Sequence, residues 1–391
     1  MSTARAISIV GAGLVGALLA TLLAQRGFRV SVFERGPDPR KAGFIGGRSI
    51  NLAMAERGLH GLRVAGLTDR IGSITVMMRG RMIHDLDGQT NLQRYGRDDS
   101  EVIWATNRGT LNITLLDAAE AAGATIHFER RLDHVDWANS TLHFANADGQ
   151  TSSHHAPIMI GADGAGSALR AAMAQQIDLG QSVDSLGHSY KELLIPALPD
   201  LPASCLDSDQ LAAAARGERY AIEPHALHIW PRGSYMCIAL PNPEGSFTVT
   251  LFLANNGAPS FVELPDAPAA RAFFEREFAD LSRLLPGLED DFSHNPTSPL
   301  STLYLDRWHL QGRAVLLGDA AHAIVPFHGQ GMNAGFEDAV ELADLLAQAG
   351  DDTEAAFAEF SARRKPNADA IAAMALDNYI EMRDRVDDAD Y

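Results

Sequence analysis

The sequence predicts an α/β fold: a Rossmann-like dinucleotide-binding domain, an inserted and mostly antiparallel β domain, and a C-terminal helical tail. Three observations carry this. The chain opens on strand, glycine turn, helix and strand text, "AISIVGAGLVGALLATLLAQRGFRVSVFER". Two more apolar strands, far apart in the chain, each run into a turn of glycine and aspartate, "IMIGADGAGSALR" and "AVLLGDAAH". Between them the texture turns to β, with "HSYKELLI", "ALHIWP", "YMCIALP" and "SFTVTLFL" close together. Short apolar runs bounded by turn residues read as strands, and longer runs of helix formers as helices.

In chain order, the opening unit is followed by a helix over 54–66, strands at 74–84 and 102–105, and a helix at 108–122. Strands are expected near 124–128, 132–137, 141–146 and 156–160, then a helix at 166–176. The β region runs from 186 to 254, interrupted at 203–220 by an Ala-rich polar insertion that reads as a surface helix or loop. Helical text returns at 266–285, a strand follows at 313–317, and from 330 the chain is helical to its end. Pro366 is expected to kink or divide that last segment. The layout divides into a discontinuous nucleotide domain at 1–72, 100–180 and 300–345, a substrate domain at 73–99 and 181–299, and C-terminal helices at 346–391.

With 391 residues, 46% of them hydrophobic, the chain can bury more than one core. Its formal net charge of −18 makes it a poor partner for nucleic acid or an anionic membrane. Cys205 and Cys237 suit neither a disulfide scaffold nor a cysteine metal site, so a reducing cytoplasm is the expectation and no metal is invoked. No signal-peptide pattern precedes "AISIV", and no apolar run approaches the roughly 18–20 residues of a membrane span. The expected partners are small molecules, and the oligomeric state is left open.

"GAGLVG" sets Gly11, Gly13 and Gly16 in the G-x-G-x-x-G pattern. The pattern alone is weak, but here it follows a strand and opens a helix within a βαβ unit. Gly11 makes the tight turn, Gly13 lets a pyrophosphate approach, and Gly16 lets helix pack on strand. The N–H groups of the helix start, around Leu14 and Val15, face the phosphates. Glu34 ends the second strand and can accept from ribose hydroxyls, which favours FAD or NAD over NADP; Arg35 follows it.

The order of three motifs, an N-terminal glycine fingerprint, a mid-chain "GADG" and a late "GD", resembles the aromatic-hydroxylase family of FAD-dependent monooxygenases. The likeness runs along essentially the whole chain. It implies FAD as cofactor, with Asp319 on the ribityl chain and Arg108 near the phosphates. It also implies that Gly329, Gln330, Gly331, Met332 and Asn333 pass under the isoalloxazine ring. There a helix N-terminus, worth about half a positive charge, would stabilise the anionic reduced flavin. Asp163 has two readings of equal weight, a pyrophosphate or NADPH contact and a cap for the helix after it. There is no second fingerprint, so NADPH is expected as a transient reductant without a Rossmann domain of its own.

Further stretches, among them "MMRGRMIH", "YKELLI", "VPFHGQGMN" and "MALDNYIEM", match a member of that family acting on an aromatic amino acid. The resemblance places Arg81, Tyr95 and Asn378 on the substrate carboxylate. It makes Leu227, Ile229, Met236, Ile238 and Phe252 the walls of an aromatic slot, with Pro326, Phe327 and His328 on its flavin side. Read without the family, the same alternating residues are ordinary sheet core. No catalytic side chain is expected, because the flavin carries the chemistry with NADPH and O2. His322 and His328 are expected to be packed or backbone-bonded. Three alternatives stay open: a hydroxylase of another aromatic acid, a halogenase, and a flavoprotein whose redox state controls partner binding. The halogenase element W-x-W-x-I-P is reduced here to "HIWP". Family members usually continue into a further helical segment beyond the acidic tail "RDRVDDADY". The expectation is that FAD still binds while more NADPH is lost as H2O2.

Overall fold

The computed structural model describes residues 5–42 and 51–384. Its nucleotide-binding half is built on a six-stranded sheet. The strand order is His309–Leu310, Ala314–Leu316, Met159–Gly161, Ala6–Val10, Arg29–Phe33 and Thr125–His127. All neighbours are parallel except the first pair. These strands are short and nearly all apolar because helices cover both faces. Ile7, Ile9, Val32, Ile160 and Val315 are all buried. The helix Leu14–Gln25 packs against Arg108–Ala121 and Gly331–Gln348.

The second large sheet has seven strands. Their order is Ser298–Tyr304, Ser182–Ile195, Phe247–Ala254, Met236–Pro241, Leu227–Pro231, Gly80–His84 and Thr90–Arg94. All pairs are antiparallel except Leu227–Pro231 with Gly80–His84. Alternation gives it two faces with different partners. Leu193, Trp230, Cys237, Val249 and Leu251 pack against Phe273, Phe274 and Phe278 of a helical layer. Ile83, Ile229, Met236 and Phe252 turn the other way, onto Phe327, Ala375 and Tyr379. A small sheet of Asn51–Met54, Ile103–Asn107 and Thr75–Met78 bridges the halves. Asn51 Nδ2 donates from it to the carbonyls of Leu240 and Pro241, at 3.2 and 3.0 Å.

Several expectations are corrected. The single strand at 74–84 is two, Thr75–Met78 and Gly80–His84, in different sheets. The polar stretch Thr151–His155 is a strand, paired with Thr141–Ala145 at the edge of a three-stranded sheet. The 266–285 helix is broken into Ala267–Glu277 and Ala279–Ser282. The insertion holds a short helix, Ser208–Ala215, closed by an Asp207–Gln210 capping box. Pro366 does not divide the last segment: Thr353–Asp384 is one helix. Buried Phe357, Phe360, Ala368, Ile371 and Ala375 anchor it on both sides of the proline. The end of the acidic tail, 385–391, lies outside the described residues. No helix among them is long and apolar enough to cross a membrane.

A Cβ on Gly16 would collide with the backbone oxygen of Gly11. The substitution Gly16→Ala is therefore expected to lower stability by about 1–3 kcal/mol, outweighing the helix preference of alanine. Urea denaturation of the apoprotein measures this.

Candidate flavin and substrate site

At the end of the first strand Gly11 turns the chain at φ +102°, a conformation that other residues rarely adopt. Gly13 precedes the helix Leu14–Gln25 without any side-chain cap, and a Cβ there would meet nothing within 4 Å. An uncapped helix start facing open space is the cradle a pyrophosphate requires. Glu34 braces the turn, accepting from Ala12 N at 2.9 Å and from Gly36 N at 2.8 Å. Its oxygens keep capacity for ribose hydroxyls. Asn112, unremarked in the sequence, holds the Ala12 carbonyl from the neighbouring helix at 2.9 Å. Leu14 is buried, and Val15 packs beside Gly318 and Gly335. Arg35 and Arg108 are exposed.

The carboxyl of Asp163 accepts three hydrogen bonds. It accepts from Ser167 Oγ at 2.5 Å and from the N–H groups of Ala168 and Leu169 at 2.7 and 3.2 Å. Its side chain has the geometry of the helix-cap reading. Arg170, a turn further on, donates to Ala320 O at 2.9 Å and Ala165 O at 2.5 Å. It thereby ties this turn to the late Gly-Asp segment.

That segment runs along the helix Leu14–Gln25. Asp319 is exposed at the head of a four-residue helix. Its Oδ1 would lie 3.9 Å from a Cβ on Gly331. Gly329 adopts φ +63° and would press a Cβ to 3.1 Å from that of Ala53. The 18-residue helix Gly331–Gln348 then begins with no side-chain cap on Gln330. Met332 packs against the core. Asn333 spends its side chain on the protein: it accepts from Ala55 N at 2.9 Å and donates to Ala53 O and Gly329 O at 3.0 and 2.8 Å. It shapes this bend, with its amide already committed.

Behind the bend lies a buried charge cluster. Asp338 is fully buried and accepts from Gly318 N at 3.0 Å, His322 Nε2 at 2.6 Å and Arg364 Nε at 2.7 Å. Burial opposes ionisation of Asp338, but His322 and Arg364 overcome it and hold its pKa below the ordinary value. Burial likewise opposes charge on His322, and Asp338 beside it holds that pKa above normal. His322 is packed, as expected, but its partner is the Asp338 carboxylate and not a backbone group.

The substrate end is assembled from three segments. Arg81, on Gly80–His84, donates to Asn378 Oδ1 at 3.1 Å and faces Glu381 Oε1 at 3.3 Å. The Tyr95 hydroxyl is also bonded to Arg81; burial pushes its pKa up to about 12 while Arg81 pulls it back. Asn378 Nδ2 donates to the carbonyl of Phe327. Arg81, Tyr95 and Asn378 thus meet, and Glu381 joins them without having been anticipated. On the other face of the same strand, His84 bonds His228 at 2.8 Å and faces Asp280 at 3.2 Å. His228 reaches the Glu223 carbonyl at 2.8 Å. Burial and the neighbouring His84 push the His228 pKa down to about 3. This chain fastens the Arg81 strand to its parallel neighbour.

The wall residues share one face. Leu227 is paired with Arg81, Ile229 with Ile83 and Ile238, and Met236 with Phe252. The Phe252 and Phe327 rings lie 4.8 Å apart, and Tyr379, absent from the expected set, sits 4.1 Å from Phe327. Pro326 is exposed and His328 half-buried. Burial, with Arg81 nearby, lowers the His328 pKa.

An uncapped dinucleotide cradle, a second uncapped helix start beside Asp319, and an apolar wall with a cationic end define a flavoprotein class. Comparison with known proteins agrees. The sequence model of the FAD binding domain family matches residues 4–193 and 279–375. The chain is 56% identical over 386 residues to kynurenine 3-monooxygenase of Stenotrophomonas maltophilia (strain K279a), covering 98% of this chain and 81% of that protein. It is 55% identical over 388 residues to kynurenine 3-monooxygenase of Xanthomonas axonopodis pv. citri (strain 306), covering 99% and 81%. Among solved structures it resembles 2-methyl-3-hydroxypyridine-5-carboxylic acid oxygenase, with TM-score 0.75, 19% identity and coverage of 98% and 94%. It also resembles P. aeruginosa PqsL in complex with 2-aminobenzoylacetate, with TM-score 0.74, 22% identity and coverage of 98% of each chain. The chain belongs to the kynurenine 3-monooxygenase family of FAD-binding monooxygenases. Its cofactor is FAD.

Removing the Asp338 carboxylate takes the carboxylate partner from buried His322 and leaves Arg364 with Glu337 alone as its counter-ion among the described residues. Asp338→Ala is expected to cost about 3–5 kcal/mol in chemical denaturation. The pH dependence has a definite sign. The raised His322 pKa gives stability that is complete below its unfolded value of 6.5 and lost as pH rises through the folded value. The lowered Asp338 pKa gives stability that is complete above 3.8 and lost as pH falls. The stability gap between wild type and His322→Gln is thus expected to narrow on the alkaline side, as denaturation midpoints across pH will show.

Proposed function

We propose that this flavoprotein hydroxylates L-kynurenine at the ring carbon beside the amine, giving 3-hydroxykynurenine at the expense of NADPH and O2. The observation that carries the reading is the meeting of Arg81, Tyr95, Asn378 and Glu381 at one end of an apolar wall. A free amino acid brings a carboxylate and an ammonium group on one carbon. Arg81 offers a planar donor fork to the carboxylate, with Tyr95 as a second donor. Glu381 offers the charge complement of the ammonium. An apolar ring continues along Leu227, Ile229, Ile238, Met236 and Phe252, bounded by Phe327.

Bound FAD supplies electron transfer from NADPH and activation of O2. The protein's part is to fix the ring against the Pro326–Asn333 bend and to keep water away. The ring amine already activates the carbon beside it, so no strong protein base is needed. Burial, with Arg81 nearby, lowers the His328 pKa, in line with a packing role. Among the cofactor residues, the fingerprint glycines, Glu34, Asp319 and the 329–331 backbone are read as direct FAD contacts. Asn333 and Asp163 are read as shaping the backbone that makes them.

Arg81→Ala is expected to raise the substrate KM by about 100-fold with a smaller change in kcat. Tyr95→Phe is expected to raise it by about tenfold. The deciding experiment follows NADPH oxidation by FAD-loaded protein with and without L-kynurenine, assaying H2O2 and product mass together. Stimulation with a product heavier by one oxygen supports the assignment. Stimulation with H2O2 alone means binding without coupled hydroxylation. No stimulation, with FAD still bound, removes kynurenine as the substrate.

A further inference from the structure

Resting on that reading of the slot, we propose that Glu192 is a specificity-determining residue whose buried carboxyl accepts a hydrogen bond from an amine on the substrate's aromatic ring. Glu192 lies on Ser182–Ile195 and is 7% exposed. Its Oε1 is buried with no hydrogen-bond partner among the described residues. A carboxyl oxygen buried without a donor is costly, so its retention calls for a partner from outside the protein.

The strand register says which way it points. Glu192 is paired with Thr250, Thr250 with Ile238, Ile238 with Ile229, and Ile229 with Ile83. Residues paired across a sheet share a face. Glu192 therefore stands on the slot face, one alternation from Tyr190, which packs at 6.1 Å from Phe252. Its neighbours point away: Lys191 lies over Phe292, and Leu193 enters the outer core. Burial pushes the Glu192 pKa up to about 7, against the pull of Arg108 on the facing helix. Arg108 acts on it through space without bonding it.

The slot then has two polar poles. Arg81 lies four strands away from Glu192, about 19 Å between strand axes at the usual spacing. Both side chains stand on the slot face, so a ligand that reaches both lies across the strands between them. Arg81 suits an anion, and an orphan carboxyl oxygen suits an N–H donor. In L-kynurenine the neutral ring amine, ortho to the acyl chain, supplies that donor from the edge of the ring beside the chain. An N–H···O bond there also pushes electron density from nitrogen into the ring, raising the nucleophilicity of the carbon beside it.

The test compares FAD-loaded wild type, Glu192→Leu and Glu192→Gln. The ligands are L-kynurenine and 2-amino-4-oxo-4-phenylbutanoate, the same molecule without its ring amine. Binding is read from the flavin absorbance, and kcat and KM from steady-state kinetics. Wild type is expected to prefer L-kynurenine by about tenfold or more. Glu192→Leu should bind both within about twofold, with unchanged affinity for the amine-free ligand; Glu192→Gln, keeping a carbonyl acceptor, should retain part of the preference. Three results would overturn the inference: an unchanged preference in Glu192→Leu, equal weakening for both ligands, or loss of FAD in place of ligand preference. Wild type that binds both ligands equally overturns it alone. Wild type that responds to neither removes the substrate reading as well.

Discussion

The rest of the site depends on one buried carboxylate. Asp338 gathers a backbone N–H from the turn after the last nucleotide-sheet strand, an imidazole from the short helix that follows, and a guanidinium from the terminal helix. Three segments with little local reason to stay together are thereby held at one point. A buried carboxylate tolerates this only with hydrogen-bond donors on both oxygens, and two cations repay its desolvation. The bend carrying Gly329 and Gly331 is the outer surface of that knot. The terminal helix held by Arg364 is also the one that brings Asn378 and Tyr379 to Phe327.

The two halves of the molecule contribute different physics. The parallel sheet, buried on both faces, supplies rigid strand ends from which glycine turns and uncapped helices project. Those ends carry backbone N–H groups, suited to phosphates because they need no side chain to be ordered. The antiparallel sheet has a helical layer on one face and the slot on the other, so each strand serves structure and recognition by alternation. Trp230 and Ile229 are adjacent in the chain and do opposite things. The His84–His228–Asp280 chain uses the structural face to steady the strand whose other face carries Arg81.

Much of the nucleotide half was legible in the sequence because its determinants are local. A tight turn demands glycine at a defined place, and Gly11, Gly13 and Gly16 meet those demands within six residues. The errors fell where local text is ambiguous. The apolar stretch around 74–84 does not show that Gly80 begins a new strand in another sheet. Pro366 is a helix breaker by its own chemistry, yet buried side chains on both sides override it. Asp163 could cap or bind a ligand on sequence grounds, and its bonds to Ser167, Ala168 and Leu169 appear only once the chain is folded.

The sequence by itself determined the fold class and the glycine turn of the dinucleotide cradle, because these follow from spacing along one strand or one turn; the wall residues were named by the family resemblance, since their spacing alone reads as sheet core. Tertiary structure alone decided which charges meet. Arg81 lies 297 and 300 positions from Asn378 and Glu381, and nothing in its local text pairs it with them. Asp338 with His322 and Arg364, and the unpartnered oxygen of Glu192, belong to the same kind. A buried polar group is satisfied or orphaned by what folding brings against it. That is a property of the packed interior, which no stretch of sequence carries on its own.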